Sequence, residues 1–252
     1  MSLQLTMEHL HQLKLSGMLA GLEQQLSSTA YAGLPFEQRL AHLVDAERSQ
    51  REGQRFKRLM RNAKLKINAE PEAIDYSSNR GLDRSSAADL LTCGWIERKQ
   101  NLIITGPTGT GKTWLACAFA VQAARNGMTI GYRRVSRLLE ELETARADGS
   151  LPKLRNQLAR LQLLILDDIG LSALTSRGRA DLLETLDDRV GTGSTAVLGQ
   201  MPVKEWHGFI NDPELADAIL DRLIHSSHKF QLKGESMRKT RRCRMIECQR
   251  RW

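Results

Sequence analysis

The sequence has few aromatic residues, few cysteines and no long apolar run. Aromatic side chains make up 5% of its 252 residues. No apolar stretch approaches the roughly 18 residues that a membrane-spanning helix needs, and no charged-then-apolar segment opens the chain, so we expect neither membrane insertion nor export. Cys93, Cys117, Cys243 and Cys248 fit no common zinc-binding spacing. We interpret them as reduced thiols in a cytoplasmic protein.

The composition that is present is typical of a globular protein. Hydrophobic residues account for 41% of the chain and charged residues for 26%, which excludes a disordered chain. The length allows a full α/β domain together with a smaller domain. The formal net charge of +8 is compatible with contact with a polyanion, but it does not identify one.

Two patterns divide the chain. Residues 1–66 carry apolar side chains at helical spacings, such as Leu10 and Leu13, and predict a small all-helical N-terminal domain. Residues 67–87 are rich in polar and turn-forming residues and predict a linker. In residues 88–252, helical patterns alternate with the short runs NLIIT, TIGYRRV, LLILDD, TAVLG and HKFQL. This alternation predicts an α/β domain with a parallel sheet.

A glycine-rich motif follows the first predicted strand. The sequence GPTGTGKT lies between NLIIT and a helical pattern, which is the context that the phosphate-loop pattern G-x-x-x-x-G-K-[ST] requires. Its glycines let backbone amides point at phosphate oxygens, Lys112 would supply a charge to the β and γ phosphates, and the Thr113 hydroxyl would ligate Mg²⁺. The alternative is a glycine-rich turn that matches by chance. The residues predicted to bind ATP are Gly106, Pro107, Thr108, Gly109, Thr110, Gly111, Lys112, Thr113 and Trp114.

The stretch LLILDDIG ends an apolar run with two adjacent carboxylates, Asp167 and Asp168. In phosphate-loop enzymes an aspartate that ends a neighbouring strand holds Mg²⁺, commonly through water, and Asp167 is the natural candidate. A second carboxylate is needed only if water must be oriented and deprotonated to attack the γ-phosphate. We therefore predict that Asp168 activates water and that the protein hydrolyses ATP. The alternative is that Asp168 is a solvated turn residue or caps the next helix.

These motifs together resemble the IstB family of ATPases, the transposition helper proteins of bacterial insertion sequences. This family belongs to the AAA+ class and is related to the helicase loader DnaC. The resemblance rests on GPTGTGKT, on LLILDDIG and above all on MPVKEWHGFINDPELADAILDRLIHSSHKFQLKGESMRK. It implies a phosphate-loop AAA+ domain with helices on both faces of a parallel sheet, preceded by the helical domain. Because only about thirty residues follow Arg222, we do not expect a full C-terminal lid.

The resemblance also implies three catalytic roles. Gln200 matches the sensor-1 position, where a polar side chain touches the attacking water or the γ-phosphate. Arg222 matches the arginine finger that reaches into the site of a neighbouring subunit, and Arg238 matches the sensor-2 arginine. An alternative for Arg222 is a simple ion pair with Asp217 or Asp221 on an exposed helix face.

A second informative stretch is RSQREGQRFKRLMRNAKLK, which runs to Lys66. On a helix its arginines recur every three or four residues and form a cationic stripe, with only Glu52 among them. Such a density destabilises a helix by self-repulsion unless a polyanion lies against it, so we predict that this basic stripe binds DNA. The alternative is a solvated basic face without a partner. The basic stripe consists of Arg48, Arg51, Arg55, Arg58 and Arg61.

The segment between the second and third predicted strands is long enough for two helices broken at Gly149 and Pro152, whereas an ordinary crossover needs one. By resemblance this is the helical insertion of the initiator and helicase-loader branch, which lines a path for nucleic acid. No recognition-helix motif is present, so we expect contact with the DNA backbone rather than with bases. The candidate contacts in the insertion are Arg133, Arg134, Arg137, Lys153 and Arg155.

The sequence and the resemblance therefore predict an ATPase of the bacterial cytoplasm that uses ATP and Mg²⁺. We expect it to form a homo-oligomer through ATP-dependent interfaces, to bind duplex DNA with little sequence preference, and to assist a transposase. One alternative is a helicase loader that binds single-stranded DNA and a replicative helicase. A more distant alternative is a small-molecule phosphotransferase, which would leave Arg222 and the basic stripe without a role.

Overall fold

The structure, a computed structural model, describes residues 2–76, 81–234 and 236–237. The chain divides into two compact units, Met1–Arg58 and Leu59–Trp252, and we describe each by itself. The domain boundaries that we predicted after residues 66 and 87 stay predictions. In the ranges given above, no helix combines the length and the apolar character needed to cross a membrane.

The first unit is helical, as the apolar spacing predicts. It contains α1 (Leu3–Gln12), α2 (Ser16–Ser27) and the greater part of α3 (Phe36–Ala63). The Ser2 hydroxyl accepts a hydrogen bond from the Leu5 amide and so caps the start of α1.

Glu47 fastens α2 to α3 within this unit. Its carboxylate accepts hydrogen bonds from the backbone amides of Gly17 and Met18, at 2.8 and 3.2 Å, and thereby satisfies the free amides at the start of α2. A side chain on Gly17 would lie 2.5 Å from the Glu47 Cα atom, so only glycine permits this approach. The hydrogen bond from Arg51 to Glu47 lowers the pKa of Glu47.

The second unit alternates helices with strands. Its strands are β1 (Asn101–Thr105), β2 (Ile130–Arg134), β3 (Leu163–Ile169), β4 (Ser194–Gly199) and β5 (Ser227–Gln231). Its remaining helices are α4 (Arg84–Leu91), α5 (Gly94–Glu97), α6 (Lys112–Arg125), α7 (Val135–Ala147), α8 (Leu151–Ala159), α9 (Ser176–Asp187), α10 (Trp206–Ile210) and α11 (Pro213–Ile224). All five strands predicted from the sequence are present.

The strands form one parallel sheet in the order β2-β3-β4-β1-β5. The carboxyl ends of β1, β3 and β4 therefore meet at the same edge, and β4 lies between the other two. Ligands of parallel α/β sheets bind at this edge. The order brings the phosphate loop after β1 and the two aspartates of β3 to opposite sides of the end of β4.

Both faces of the sheet are covered by helices, as predicted. Alternate strand residues point to opposite faces, so Ile103, Leu164 and Val197 pack with side chains of α7 to α11 in one buried cluster. Leu102 and Ile104 occupy the intervening positions of β1 and are also buried. The helix α6 packs against β1 to β4, and ten of its residues are buried because it is sandwiched.

The segment after α3 is packed rather than extended into solvent. Within residues 64–76, which we predicted to lie mostly in a linker, Ala69, Pro71 and Ile74 are buried. Glu72 forms an ion pair with Arg125 on α6. The short helical turn at Pro71–Ala73 also contacts α6, so this segment has a defined position in the second unit.

Arg189 holds the insertion to the sheet. It is 1% exposed, and its hydrogen-bond partners among the described residues are uncharged. It donates to the carbonyls of Leu158 and Leu161 at 2.5 and 2.9 Å, to the carbonyl of Ser194 at 2.5 Å and to the Thr195 hydroxyl at 3.0 Å. Burial lowers the pKa of Arg189 to about 10. One side chain therefore joins the end of α8 to the start of β4.

We expect Arg189→Met to destabilise the second unit by about 3 kcal/mol or more, because it leaves buried carbonyl groups without donors. Urea unfolding measures this loss. The control is Arg160→Met, which removes the same charge from an exposed position at the end of α8 and should change stability by less than about 0.5 kcal/mol. Equal losses in the two variants would show that the buried hydrogen bonds are not responsible.

Candidate functional site

The phosphate loop joins β1 to α6 and has the open backbone that its glycines predict. Gly106, Gly109 and Gly111 have φ values of 146°, 89° and 94°, a region that residues with side chains rarely adopt. A Cβ atom on Gly106 would lie 2.3 Å from the Leu232 carbonyl oxygen, and one on Gly109 would lie 2.2 Å from the Ser236 hydroxyl. The loop is therefore packed against the segment that follows β5, and two of its glycines are required for that contact.

Lys112 begins α6 and points into the loop. Its ammonium group donates hydrogen bonds to the carbonyls of Gly106 and Pro107 at 2.6 and 2.9 Å. The Thr110 hydroxyl donates to the same Pro107 carbonyl at 2.9 Å. Burial lowers the pKa of Lys112, whereas the charges of Asp167 and Asp168 act in the opposite direction. Lys112 thus occupies the centre of a loop in which it can reach phosphate oxygens.

Asp167 lies at the end of β3 and is 1% exposed. Its Oδ2 atom accepts hydrogen bonds from the Thr113 hydroxyl at 2.9 Å and from the Tyr132 hydroxyl at 2.6 Å. Its Oδ1 atom accepts from the Asp168 amide at 2.8 Å. Burial raises the pKa of Tyr132 above its ordinary value, and the hydrogen bond to Asp167 acts in the same direction. Tyr132 therefore remains protonated and donates to the carboxylate.

Asp168 has a different backbone conformation from its neighbour. Its φ is 63°, in the left-handed region, and the pairing of β3 with β4 shifts in register between Leu166 and Ile169. Its side chain is partly exposed, and its Oδ2 atom lies 3.4 Å from Arg134 Nε and 3.8 Å from Lys66 Nζ. The irregularity turns the second carboxylate away from the sheet, so that it faces the same cavity as the phosphate loop.

A cavity of about 290 Å³ lies over the loop. Six of the nine residues predicted to bind ATP line it, together with Asp168 and Gln200. Arg238 lies outside the described residues. Its neighbour Met237 lines the cavity, and the Met237 amide donates a hydrogen bond to the Gly109 carbonyl at 3.0 Å. The six lining residues of the loop are Thr108, Gly109, Gly111, Lys112, Thr113 and Trp114.

The cavity has the groups that a nucleotide with Mg²⁺ requires. Thr113 and Asp167 contribute neighbouring oxygen atoms 2.9 Å apart, and oxygen is the ligand that Mg²⁺ prefers. Lys112 supplies positive charge within the loop, where it can reach phosphate oxygens. The residues present therefore fit a divalent cation together with a polyphosphate.

Arg222 lies near the end of α11, with 33% of its side chain exposed. Its Nε donates to Asp187 on α9 at 2.9 Å, and Nη1 donates to the Ala218 carbonyl at 3.2 Å. Its acidic partner is therefore neither Asp217 nor Asp221, the two alternatives suggested by the sequence. Arg222 also lines a surface cavity of about 560 Å³ together with Arg98 and Lys99.

The arginines of the basic stripe all lie on α3, but they differ in their partners. Arg48 pairs with Glu52 at 3.2 Å, and Arg51 pairs with Glu47 at 2.6 Å. The expectation that only Glu52 opposes the stripe was therefore wrong, because Glu47 lies one helical turn before Arg51. The role of the stripe in binding DNA stays a prediction.

The insertion forms two helices, α7 and α8, with the break that we predicted around Gly149. Pro152 does not break a helix but lies in the first turn of α8, where proline is tolerated. Of the five predicted DNA contacts in the insertion and at the end of β2, four pair with carboxylates of the same chain, and no ion pair is found for Lys153 in the described residues. The four pairs are Arg133 with Glu141, Arg134 with Asp168, Arg137 with Glu140, and Arg155 with Asp181 and Glu184.

Sequence reasoning missed Tyr132, Lys66 and the segment after α3. Tyr132 lies in the predicted strand next to β3, in the sequence IGYRR, where no local pattern distinguishes it from its neighbours. Lys66 ends the basic stretch but belongs to the nucleotide site. Ile67 and Ala73 also line the cavity, although their sequence suggested a linker. Arg134, which we predicted to contact DNA, lies beside Asp168, and its contact with DNA stays a prediction.

Solved structures of known proteins share this fold. The chain is similar to a crystal structure of the DnaC helicase loader, with 19% identity and a TM-score of 0.54 over 68% of this chain and 100% of that chain. It is also similar to a crystal structure of DnaI, with 19% identity and a TM-score of 0.58 over 66% of this chain and 91% of that chain. At such identities the likeness shows the fold alone, which is that of AAA+ ATPases.

Sequence relatives are more similar. An insertion sequence ATP-binding protein of Sinorhizobium fredii is 43% identical over 94% of this chain and 97% of its own length. An ATP-binding protein of insertion sequence IS1162 from Pseudomonas fluorescens is 46% identical over 80% of this chain and 88% of its own length. The family described as IstB-like ATP binding protein matches residues 8–245. With this match, and with a phosphate loop set against an acidic strand end, the chain belongs to the IstB-like family of insertion sequence ATP-binding proteins.

Proposed function

We propose that this protein hydrolyses ATP with Mg²⁺, assembles on duplex DNA in an ATP-dependent manner and assists the transposase of its insertion sequence. The observation that carries the proposal is the pair of carboxylates at the end of β3. Asp167 is hydrogen-bonded to Thr113 of the phosphate loop, and Asp168 faces the cavity beside it. Binding alone would need only the first of the two.

Each residue has a distinct role in the proposed reaction. Thr113 and Asp167 would hold Mg²⁺, which when bound would neutralise charge on the β and γ phosphates. Lys112 would exchange its loop carbonyls for phosphate oxygens. Asp168 would orient the attacking water and accept its proton, while Gln200 would contact the water or the γ-phosphate. Tyr132 would hold the Asp167 carboxylate in place.

The proposed arginine finger makes assembly and nucleotide state depend on each other. Arg222 belongs to a group of cations at the edge of the sheet opposite the phosphate loop, since Arg98 and Lys99 precede β1 and Arg222 precedes β5. A side chain there can serve only the site of another subunit. ATP bound between subunits would therefore favour the oligomer by mass action.

The DNA and transposase parts of the proposal rest on charge and on relatedness. The exposed arginines of the basic stripe offer contacts to phosphates without base readout. The relatives that are more than 40% identical are insertion sequence proteins, which favours a transposase as the partner. The helicase-loader alternative is supported by similarity of fold at 19% identity, which is weaker support for a shared partner.

We expect Asp168→Asn to bind ATP but to hydrolyse it about 10²- to 10⁴-fold more slowly, because asparagine cannot accept the proton of the attacking water. Asparagine also tolerates the left-handed backbone, so the strand end should be preserved. Phosphate release and the binding of a fluorescent ATP analogue measure the two effects. Lys112→Ala is the comparison, since it should lose binding itself. Wild-type turnover by Asp168→Asn would refute the assigned role.

We expect Arg222→Ala to lower the ATPase rate of the assembled protein on the order of a hundredfold or more, because an arginine finger stabilises charge in the transition state. Light scattering with ATP or ADP, with and without a random duplex, reports the mass in parallel. Asp187→Asn is the matched control, because it removes the ion pair within the chain but leaves Arg222. If both variants lose activity equally, Arg222 acts through that ion pair and is not a finger.

We expect the double variant Arg58→Glu, Arg61→Glu to weaken duplex binding and to reduce the slope of log affinity against log salt by about 2, close to 0.9 per lost phosphate contact. These two positions avoid the ion pairs of Arg48 and Arg51. Nucleotide affinity should not change. The control is the double variant Arg160→Glu, Arg177→Glu, which makes the same change in net charge at exposed positions elsewhere. Equal effects of the two double variants would show that the basic stripe does not contact DNA.

A further inference from the structure

The acidic pair, Asp167 and Asp168, has a cation beside it for which the proposed hydrolysis has no use. Lys66 Nζ lies 3.8 Å from Asp167 Oδ2 and 3.8 Å from Asp168 Oδ2. One ammonium group is thus shared between two carboxylates. The Lys66 side chain is 30% exposed and the Asp167 side chain 2%, so the contact lies at the mouth of the cavity and not on the open surface.

The position of Lys66 is set by the packing around it. The helix α3 ends at Ala63, which is fully buried, and Lys64 then adopts a left-handed φ of 52° that turns the chain. The backbone of Lys66 and Ile67 lies against the buried Cys117 on α6. The ammonium group is therefore carried on a segment fastened to α6, the helix that begins with Lys112 and Thr113.

The oxygen that Lys66 approaches is the one that a divalent cation would use. Asp167 Oδ2 is also the atom that accepts the hydrogen bond from Thr113, and these two oxygens are the proposed ligands of Mg²⁺. Lys66 and Mg²⁺ would thus stabilise the same negative charge. Two cations in the same place repel each other, so they bind there in competition.

We propose that Lys66 is an exchangeable counter-ion of the acidic pair. It neutralises Asp167 and Asp168 until Mg²⁺ binds with the nucleotide, and it then moves away from Asp167. The proposal rests on the proposed function, because it takes Thr113 and Asp167 as the metal ligands. Its consequence is that the wild-type protein requires more Mg²⁺ than a chain without the Lys66 charge.

The test is a Mg²⁺ titration of the binding of a fluorescent ATP analogue to the full chain, for wild type and Lys66→Gln. We expect the half-saturating Mg²⁺ concentration to fall about fivefold in Lys66→Gln, the factor that corresponds to about 1 kcal/mol between unit charges 4 Å apart in water. Lys64→Gln is the matched control, since it removes the same charge from an exposed position nearby and should leave the midpoint unchanged.

Thermal unfolding without nucleotide gives a second, independent readout. We expect Lys66→Gln to have a lower Tm than wild type in the absence of divalent ions, and Mg²⁺ alone to raise the Tm of the variant more than that of wild type. Both effects follow because the variant removes one of the cations that offset the charge of the two carboxylates. They do not depend on catalysis.

Two results would overturn the proposal. An unchanged Mg²⁺ midpoint with a lowered Tm would make Lys66 a structural ion pair. A weaker affinity for the nucleotide at saturating Mg²⁺, again with an unchanged midpoint, would make it a direct ligand of the nucleotide. If the wild type itself binds the analogue without any dependence on Mg²⁺, the proposed metal site fails, and that outcome is distinct from a failure of Lys66.

Discussion

Two neighbouring carboxylates at the end of a buried strand repel each other and lose hydration, and the rest of the site is arranged around this constraint. The buried charge of Asp167 is stabilised by hydrogen bonds from hydroxyl groups of α6 and β2 and from a backbone amide. The charge of Asp168 is stabilised by ion pairs with cations of β2 and of the segment after α3. Three other parts of the chain, namely α6, β2 and the segment after α3, therefore converge on two residues at the end of β3.

The backbone gives a physical reason for an aspartate at the second position. Asp168 has φ = 63°, and aspartate is among the few residues that adopt the left-handed region without a large cost. A longer side chain such as glutamate lacks the local hydrogen bonding that favours this conformation. The register shift at this point lets β3 end with one carboxylate directed at Thr113 and the next directed into the cavity. Adjacent residues of a regular strand would have pointed to opposite faces.

Ion pairs within the chain reduce the positive charge that is available to bind DNA. Several arginines that we predicted to contact DNA have acidic partners within the chain: Arg51 pairs with Glu47, which holds α2, Arg134 pairs with Asp168, and Arg155 pairs with α9. The net charge of +8 is therefore unevenly available to a polyanion. Exposed ion pairs are weak, so these arginines can exchange their carboxylates for DNA phosphates. Breaking the ion pair costs free energy, however, and arginines without an acidic partner do not have this cost.

The sequence by itself determined the five strands, the phosphate loop and the acidic strand end. These features depend on local patterns: apolar runs of strand length, glycines at fixed offsets, and carboxylates next to a buried segment. It also allowed the family to be identified, because the phosphate loop, the acidic strand end and the long C-terminal motif are all present in the sequence. The partners of Arg222 and Arg134, the hydroxyl of Tyr132 and the ammonium of Lys66 were decided only by the tertiary structure. Each of these contacts joins residues more than thirty positions apart. A local sequence pattern cannot predict which distant side chain will contact a given charged group.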